Sequence, residues 1–489
     1  MKGIAKSLSQ NIENIRKLFG EQNEDLIVKQ FNVAQKSACV IYVRGLVNVE
    51  FLTKFVIAPC MECDKLSETN ILQSINKEIL LFPEVQEQAD EKELVSSIVH
   101  GNVLFFVEGE EKALVIAIDK LQERSIQEPP TSAVLKGPRE GFVENFKTNL
   151  SLIKKIVGST SLKIEYLSVG KYTDTNVALV YIEGIADNKL MEKVKNRLKQ
   201  INIDGIIDSF YISQFLEEHP NSMFKQVGDT EKPDIACAKL LEGRCAIVVD
   251  GSPIVLTLPY VLFEDIQSSD DYYNQHARAT MVRFLRALSI LITVLLPGMY
   301  ISIQLYHYKV IPVSFLITII NQTQGIPLAP LGELLFVVIL FEVLYEASLR
   351  MPQYLGISLS IIGALILGDT GVKAGIISAP AVMIVALSGI TLYTVPDQAS
   401  QLSLMRILFT LAGGLIGFFG IVVLTVFFVV YLSDFDNYGS PYLAPFAPSI
   451  KSDYKDGLFK KDIIYMKKRP KSIKNKNKVR LRRDESTYN

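Results

Sequence analysis

The sequence predicts a two-part soluble N-terminal region of α+β or α/β class, followed by an all-α transmembrane helical bundle. Three observations lead to this prediction. Charged residues make up 21% of the 489 residues, yet the 146 residues of 287–432 hold only nine. The residues before this stretch alternate strand-like and helical patterns, which is typical of mixed sheets packed with helices. The residues after it are strongly basic.

The chain is long enough for several domains, and its composition changes divide it into four segments. We expect a first soluble subdomain at 1–127, a second, α/β subdomain at 128–280, a transmembrane helical domain at 281–435 and a basic cytoplasmic tail at 436–489. The first boundary is placed at Glu128-Pro129-Pro130, because proline neither continues a helix nor donates to a sheet.

The first subdomain reads as short elements separated by polar breaks. The apolar spacing predicts helices at 23–31 and 66–92, a strand at 38–47, and a hairpin formed by 101–107 and 113–118. In the second subdomain the same criteria predict helices at 142–156 and 189–199 and strands at 162–168, 177–182, 245–249 and 254–258.

The apolar third of the chain contains several segments of membrane-spanning length. About 20 apolar residues are needed to cross the hydrocarbon core as a helix. The candidates are 287–305, 331–349, 354–367, 374–395 and 407–432, with 310–320 too short to cross alone. Arginines before the first span and the basic tail after the last place both ends in the cytoplasm. Four crossings satisfy this rule, and five remain an alternative.

Ionisable residues inside an apolar bundle are costly to keep and are the first candidates for function. Glu342 and Glu346 are four residues apart on one helix face, with Glu333 rotated by about 180° from it. They would line a wet pathway, or lie in water at the interface with Arg350 neutralising Glu346. The candidate pore or intramembrane polar residues are Glu333, Glu342, Glu346, Asp369 and Lys373, the last two forming either an internal ion pair or part of an exposed loop.

Small residues recur in the apolar segments. Gly413 and Gly417 form a GxxxG pattern, which allows two helix backbones to approach closely. The pattern is compatible with packing inside one subunit and with self-association.

The chain lacks the common phosphate-binding, dinucleotide-binding and hydrolase motifs, and its four histidines are scattered. We therefore expect no enzyme activity, no cofactor and no metal site. Cys60 and Cys63 form a CxxC without a second pair at ligand spacing, so they are interpreted as ordinary thiols.

Ten Lys or Arg and no acid lie between residues 467 and 483. Such a run can bind nucleic acid, but beside a membrane domain it is better explained by anionic lipid on the cytoplasmic side. We expect membrane lipid, and no nucleic acid, as its partner.

Several long, co-linear segments between 128 and 445 resemble the A subunits of the GerA-type nutrient germinant receptors of spore-forming bacteria. They are EPPTSAVLKGPREGFVENFKTNLSLIKK (128–155), TEKPDIACAKLLEGRCAIVVDGSPIVLTLP (230–259), SSDDYY (268–273), EASLRMP (346–352) and SPYLAPF (440–446).

The resemblance implies a subunit of the spore inner membrane that triggers germination. Its partners would be a transporter-like B subunit and a lipoprotein C subunit, and self-association into a ring would let monovalent cations pass. Two alternatives are a non-conducting scaffold subunit of the same receptor and a related germination channel paralogue not coupled directly to nutrient. Asp369 and Lys373 depart from the family's neutral or acidic residues, in the segment expected near the pore.

Overall fold

The computed structural model describes residues 4–20, 23–34, 36–63, 71–80, 85–118, 136–350, 363 and 366–481. Their contacts group them into two compact units. Unit 1 comprises the described residues up to Pro220 together with Val227–Pro259 and 468–481. Unit 2 comprises Asn221–Gln226 and Tyr260–Lys467. The predicted boundary at 128–130 lies outside the described residues, and the four-segment division stays a prediction.

Unit 1 contains ten strands and nine α-helices among its described residues. The strands are β1 Leu26–Val33, β2 Lys36–Val43, β3 Val85–Gln88, β4 Val103–Val107, β5 Ala113–Ile116, β6 Leu162–Val169, β7 Thr175–Ile182, β8 Gly228–Thr230, β9 Cys245–Val249 and β10 Val255–Leu258. The helices are α1 Leu8–Phe19, α2 Val49–Leu52, α3 Ala58–Glu62, α4 Ile71–Ser74, α5 Glu91–Val99, α6 Phe146–Ile156, α7 Asn188–Gln200, α8 Ser209–Leu216 and α9 Pro233–Glu242.

The strands form two five-stranded antiparallel sheets with one shared topology. The first sheet has the order β1-β2-β4-β5-β3 and the second has the order β6-β7-β9-β10-β8. Since each strand of the first sheet corresponds to the strand five numbers later in the second, unit 1 consists of two copies of one fold. Each sheet is covered by helices over its own apolar core.

The two copies also share local hydrogen bonds. Asn11 of α1 exchanges two hydrogen bonds with the backbone of Ala5, at 2.8 and 2.6 Å. Asn149 of α6 does the same with Val143, at 2.8 and 2.5 Å. In both copies a buried Asn thus satisfies the backbone just before the first helix, where no strand or helix partner exists.

The hairpin predicted at 101–107 and 113–118 is present as β4 and β5. The helix predicted at 23–31 is wrong, because these residues overlap strand β1. All eight residues of Leu26–Val33 pair with Lys36–Val43. Cross-strand pairing over this length outweighs the helix-like apolar spacing.

The helix predicted at 66–92 is present only in part. Residues Ile71–Ser74 are helical, whereas Val85–Gln88 forms β3 and pairs with β5. Strand β3 lies at the edge of its sheet, where one side of the strand faces away from the ladder. Its polar residues, two Gln and one Glu, suit such a position although they resemble a polar helix in sequence.

Unit 2 is mainly helical, in agreement with the coarse prediction of an α+β region followed by a helical one. Its helices are α10 Ser269–Tyr273, α11 His276–Tyr306, α12 Val313–Thr323, α13 Pro330–Arg350, α14 Ala379–Leu392, α15 Ala399–Ile416 and α16 Phe418–Ser433. A two-residue hairpin, β11 Asp436–Asn437 with β12 Ser440–Pro441, follows α16.

Among the described residues, two helical stretches are long and apolar enough to cross a membrane by length and composition: His276–Tyr306 and Pro396–Ile416. The sequence prediction of four or five spans is therefore not reproduced. The helix α13 carries too many charges, and α12, α14 and α16 are shorter. The candidate at 354–367 lies almost wholly outside the described residues.

The span predicted at 407–432 is wrong as a single helix. The chain breaks at Gly417, whose φ of 73° and ψ of −154° lie outside the helical region. Only glycine adopts such a backbone readily. The chain folds back at this residue, so that Phe409 of α15 and Phe428 of α16 stack with ring centroids 6.0 Å apart. The apolar run is a helical hairpin.

Contacts at the two ends of α11 set its direction relative to α15. Before α11, the Tyr260 hydroxyl accepts a hydrogen bond from Gln398, at the start of α15, at 3.3 Å. At the other end, Tyr306 donates to the carbonyl of Gly414 at 3.0 Å. The two helices are parallel, and α16 returns toward the end where α11 begins. We call this the Tyr260 end, and the opposite one the Tyr306 end.

The GxxxG pattern is used inside one chain. A Cβ atom on Gly413 would overlap the carbonyl of Gly298, on α11, so the two glycines mark the closest approach of α11 and α15. Gly417 contributes the hairpin break instead. This is the first of the two uses that the sequence left open.

Part of the basic tail is packed against unit 1. Arg469 donates to the Leu241 carbonyl at 2.6 Å, and Asn475 forms a bridge with Ala186. The lipid contact expected for the tail from its charge pattern stays a prediction.

Candidate functional site in the helical unit

The structure does not bring the five predicted polar residues into one site. Glu333, Glu342 and Glu346 lie on α13 but have separate partners, while Asp369 and Lys373 pair with each other. The helix α13 places Glu333 on its buried side and Glu346 on its exposed side, as the predicted rotation requires. Glu342 is partly buried, so the two acids that were predicted to share one face differ in exposure.

Glu342 forms a largely buried charged contact between two helices of the bundle. Its carboxylate pairs with the guanidinium of Arg406 on α15, and the Ser403 hydroxyl donates to the same oxygen. The Arg406 side chain is 1% exposed and that of Glu342 is 25% exposed. A buried charge is tolerated only when it is paired, so this contact fixes α13 against α15.

The ion pair continues into a chain of hydroxyl groups. Arg406 donates to the Ser388 hydroxyl at 3.4 Å, and Ser388 donates to the Thr293 carbonyl at 2.9 Å. The hydroxyl groups of Thr293 and Thr391 are 2.8 Å apart. Four helices, α11, α13, α14 and α15, therefore contribute polar atoms to one connected cluster inside an apolar bundle. We call it the Arg406 cluster.

Arg406 was missed as a candidate site residue. The sequence offered one signal for it: Arg406 is the only Lys or Arg between residues 374 and 450. A single cation in a long apolar stretch must find an acid, and Glu342 is one of the few available. One nitrogen of the guanidinium, Nε, is buried with no hydrogen-bond partner in the described part of the chain.

Glu333 has a capping role. Its side chain is buried, and Oε1 accepts the backbone N–H of Ser378 at 2.5 Å. Ser378 is the N-cap residue of α14. A carboxylate at a helix N-terminus is favoured by the partial positive charge of the unpaired N–H groups.

The other three candidates lie at the surface of the unit. Glu346 pairs with Arg350 at 2.5 Å, and Asp369 pairs with Lys373 at 2.6 Å. All four side chains are more than half exposed, and each pair is four residues apart on its own helical turn. For both pairs the local, exposed arrangement is the one present. Such pairs contribute little to stability.

Unit 1 has a polar cluster between its two copies. The Asp25 carboxylate receives the Lys154 ammonium at 3.1 Å and the Tyr166 hydroxyl at 2.6 Å. Burial lowers the pKa of Lys154 and raises the pKa of Tyr166. The adjoining cavity of about 40 Å³ has room for a few water molecules.

The CxxC has one buried and one partly exposed thiol. Burial raises the pKa of Cys60 to about 12, so it is a thiol and not a reactive thiolate at neutral pH. In the ranges described above, no group of three or more His, Cys, Asp or Glu could hold a metal ion.

The comparison with known protein families decides the relationship. Residues 13–472 match the model of the Bacillus/Clostridium GerA spore germination protein family. The chain belongs to the GerA family. The match extends well beyond the 128–445 region in which the resemblance was first seen, and includes both copies of unit 1 and nearly all of unit 2.

Individual relatives span almost the whole chain. Spore germination protein KA of Bacillus subtilis is 35% identical over 99% of this chain and 89% of its own length. The membrane protein YfkQ of the same organism, uncharacterized, is 33% identical over 96% and 91%. The crystal structure of the N-terminal domain of the A subunit of the Bacillus megaterium spore germinant receptor GerK3 is 28% identical, covers 52% of this chain and 96% of that domain, and has a TM-score of 0.42.

Proposed function

We propose that this protein is the A subunit of a nutrient germinant receptor and that its helical unit conducts monovalent cations when the receptor is triggered. It would do so as an oligomer in the spore inner membrane, together with a B and a C partner subunit. Membership of the GerA family supports the germination role. The Arg406 cluster is the observation that supports a conducting role.

The physical argument starts from the cost of the cluster. An ion pair inside an apolar bundle loses hydration that its attraction barely offsets, and well-packed apolar residues would often be as stable. Glu342 also keeps a quarter of its side-chain surface exposed. A ring of such carboxylates, one from each subunit and released from Arg406 when the receptor is triggered, would attract cations and exclude anions.

The test is ion flux through the purified full-length protein in sealed liposomes. We expect K⁺ flux from the unchanged protein, and at least a tenfold loss of flux in Glu342→Gln. Glu346→Gln is the matched control, because Glu346 lies on the same helix with an exposed partner, and it should retain flux. Asp369→Asn tests another of the five candidate pore residues in the same assay, and a loss of flux in this variant would also support conduction.

The Glu342→Gln variant leaves Arg406 unpaired, which costs about 3–5 kcal/mol and can impair folding. The double variant Glu342→Gln/Arg406→Gln removes both charges and should restore assembly without restoring flux. Flux that persists in the double variant contradicts a conducting role for the pair. Absence of flux from every form, with the B and C complex intact, supports the scaffold alternative.

The neighbouring genes distinguish the paralogue alternative from the nutrient-receptor role. Genes for B and C subunits next to this one support the nutrient-receptor role. A solitary gene, with germination retained toward nutrients after its deletion, supports the paralogue.

A further inference from the structure

Residues 459–465 follow the helical hairpin of unit 2 and carry an exposed apolar surface. Four large side chains lie within seven residues: Phe459 is 65% exposed, Ile463 56%, Ile464 60% and Tyr465 58%. We call this segment the apolar hook. We propose that the apolar hook inserts into the interfacial layer of an anionic lipid bilayer and anchors the first helix of the bundle there.

The chain just before the hook is held firmly against the start of α11. The Arg283 side chain is fully buried and donates to the Gly457 carbonyl at 2.8 Å and to the Asp456 carboxylate at 3.0 Å. Arg283 also pairs with Asp271 at 2.9 Å, which ties the residues before α11 to the same point. Breaking a buried charged contact of this kind costs much free energy. Asp456 and Gly457, just before the hook, therefore have a fixed position.

The hook itself also contacts the start of α11. Lys460 and Thr280 exchange hydrogen bonds through the Lys460 backbone, at 3.1 and 3.4 Å, and the Lys460 ammonium donates to the Asn274 carbonyl at 3.0 Å. The hook therefore lies beside the first two turns of α11, at the Tyr260 end of the bundle.

The position along α11 corresponds to a membrane interface. Thr280 precedes the predicted span at 287–305 by seven residues, or about 10 Å. Exposed apolar side chains already occur on α11 from Met281 onward, followed by Phe284, Leu288 and Leu291. The headgroup layer adds roughly 5–8 Å on each side of the hydrocarbon core, so a segment beside Thr280 lies close to the outer edge of this layer.

The composition of the hook selects lipid as its partner. Aromatic side chains with a polar tip, such as Tyr465, are favoured at the interface, and aliphatic side chains beside them gain from leaving water. Lys461 lies within the hook and Lys467 follows it, and both are exposed, which favours anionic headgroups. Continuity with the apolar face of α11 favours a bilayer over a second protein as the occupant.

The chain contains no tryptophan, so one substitution creates a unique fluorescent probe. Phe459→Trp and Ile464→Trp are made separately in the full-length protein. Each is reconstituted in vesicles of phosphatidylcholine and phosphatidylglycerol, with and without acyl chains that are brominated near the headgroup. Leu291→Trp probes the middle of α11, and Tyr172→Trp, a 76% exposed position of unit 1, serves as the water-exposed reference.

The proposal rests on the proposed membrane function, and the four probe positions distinguish failure of the anchor from failure of the membrane function. We expect both hook probes to emit at shorter wavelength than the Tyr172 probe and to lose at least half of their fluorescence to the bromolipid. A hook probe that behaves like the Tyr172 probe while the Leu291 probe is quenched refutes the anchor and leaves the membrane function intact.

The remaining outcomes of the quenching experiment also support or overturn the anchor. If no probe, including that at Leu291, is quenched by bromolipid, the membrane function and the anchor both fail. If the hook probes shift to shorter wavelength without quenching, protein covers the hook and lipid does not, which overturns the proposal. Replacing phosphatidylglycerol by phosphatidylcholine should reduce the quenching at Phe459→Trp at least twofold if anionic headgroups hold the hook.

Discussion

Asp265 is a buried acid in unit 2, near the start of the helical bundle. It accepts a hydrogen bond from the Tyr260 hydroxyl at 2.8 Å, and Lys225 lies 3.9 Å away. Burial raises the pKa of Asp265 from 3.8 to about 6; Glu264 and Asp397 add to this effect, whereas Lys225 opposes it. The folded protein therefore holds a proton at a pH where the unfolded chain has released it.

This shift predicts a pH-dependent effect of Asp265→Asn. The stabilising contribution of the raised pKa is present below about pH 4 and is lost as the pH rises through about 6. The variant cannot ionise and should gain in melting temperature relative to the unchanged protein, by several degrees at pH 7.5 and by far less at pH 4. Thermal unfolding of both proteins in detergent measures the difference.

Asp204→Asn provides the control, since it makes the same substitution at an exposed position. A constant difference for Asp265→Asn would mean that Asp265 stays ionised in the folded protein throughout this range.

The sequence predicts ion pairs correctly where the two partners are close in the chain. The pairs Glu346 with Arg350 and Asp369 with Lys373 follow from four-residue spacing alone. The pairing of Glu342 with Arg406 could not be derived in this way, because 64 residues separate the partners and their contact depends on how α13 packs against α15.

At the scale of secondary-structure elements, the close crossing of α11 and α15 determines how the helices of the bundle pack. Gly298 and Gly413 face each other, and a side chain on either would meet backbone atoms of the other helix. Backbone cannot move aside as a side chain can, so the cost of overpacking is high here. The crossing therefore tolerates no larger residue at either position without a shift of one helix.

We predict that Gly413→Ala destabilises the full-length protein by about 2 kcal/mol or more. Gly332→Ala is the matched control, because Gly332 is on helix α13 and a Cβ added there would have no atom within 4 Å. Because alanine has a higher helix propensity than glycine, Gly332→Ala should leave stability unchanged or raise it by up to about 1 kcal/mol. Thermal unfolding followed by circular dichroism compares the two, and equal stabilities would contradict the close crossing.

Element prediction from the sequence failed at two instructive places. The strand β1 looked helical because its apolar residues are not strictly alternating, and only its pairing with β2 makes it a strand. The run at 407–432 looked like one span because a glycine inside an apolar stretch is compatible with a helix. Its unusual φ is visible only in the folded backbone.

At the scale of the whole molecule, the chain enters and leaves the helical bundle at one end. Leu262, before α11, donates its backbone N–H to Tyr442, after α16, at 3.0 Å. This agrees with the even number of crossings expected from the charge rule, in which residues before and after the bundle share one side. The sidedness itself stays a prediction.

Cysteine labelling in sealed vesicles tests this arrangement. In a Cys63→Ser background, Tyr308→Cys at the Tyr306 end and Ser433→Cys at the Tyr260 end are both exposed positions. We expect a membrane-impermeant thiol reagent to label only one of them in intact vesicles and both after detergent is added. Labelling of both in intact vesicles would show that α11 does not cross the bilayer.

The duplication in unit 1 leaves little trace in the amino-acid sequence. The segment from Tyr42 to Gly45 reads YVRG, and that from Tyr181 to Gly184 reads YIEG, with both glycines at positive φ. Few other identities remain, because any apolar residue of similar volume preserves a sheet core. The topology is therefore kept while the sequence similarity has largely disappeared.

The hairpin break at Gly417 has a consequence for how the protein can be approached from the Tyr306 end. A protease or an antibody needs several residues of extended, accessible chain, and a turn made by a single glycine offers none. On that side, the segments 307–312 and 324–329 present more backbone, at either end of α12. Limited digestion or epitope insertion aimed at that side should be directed there.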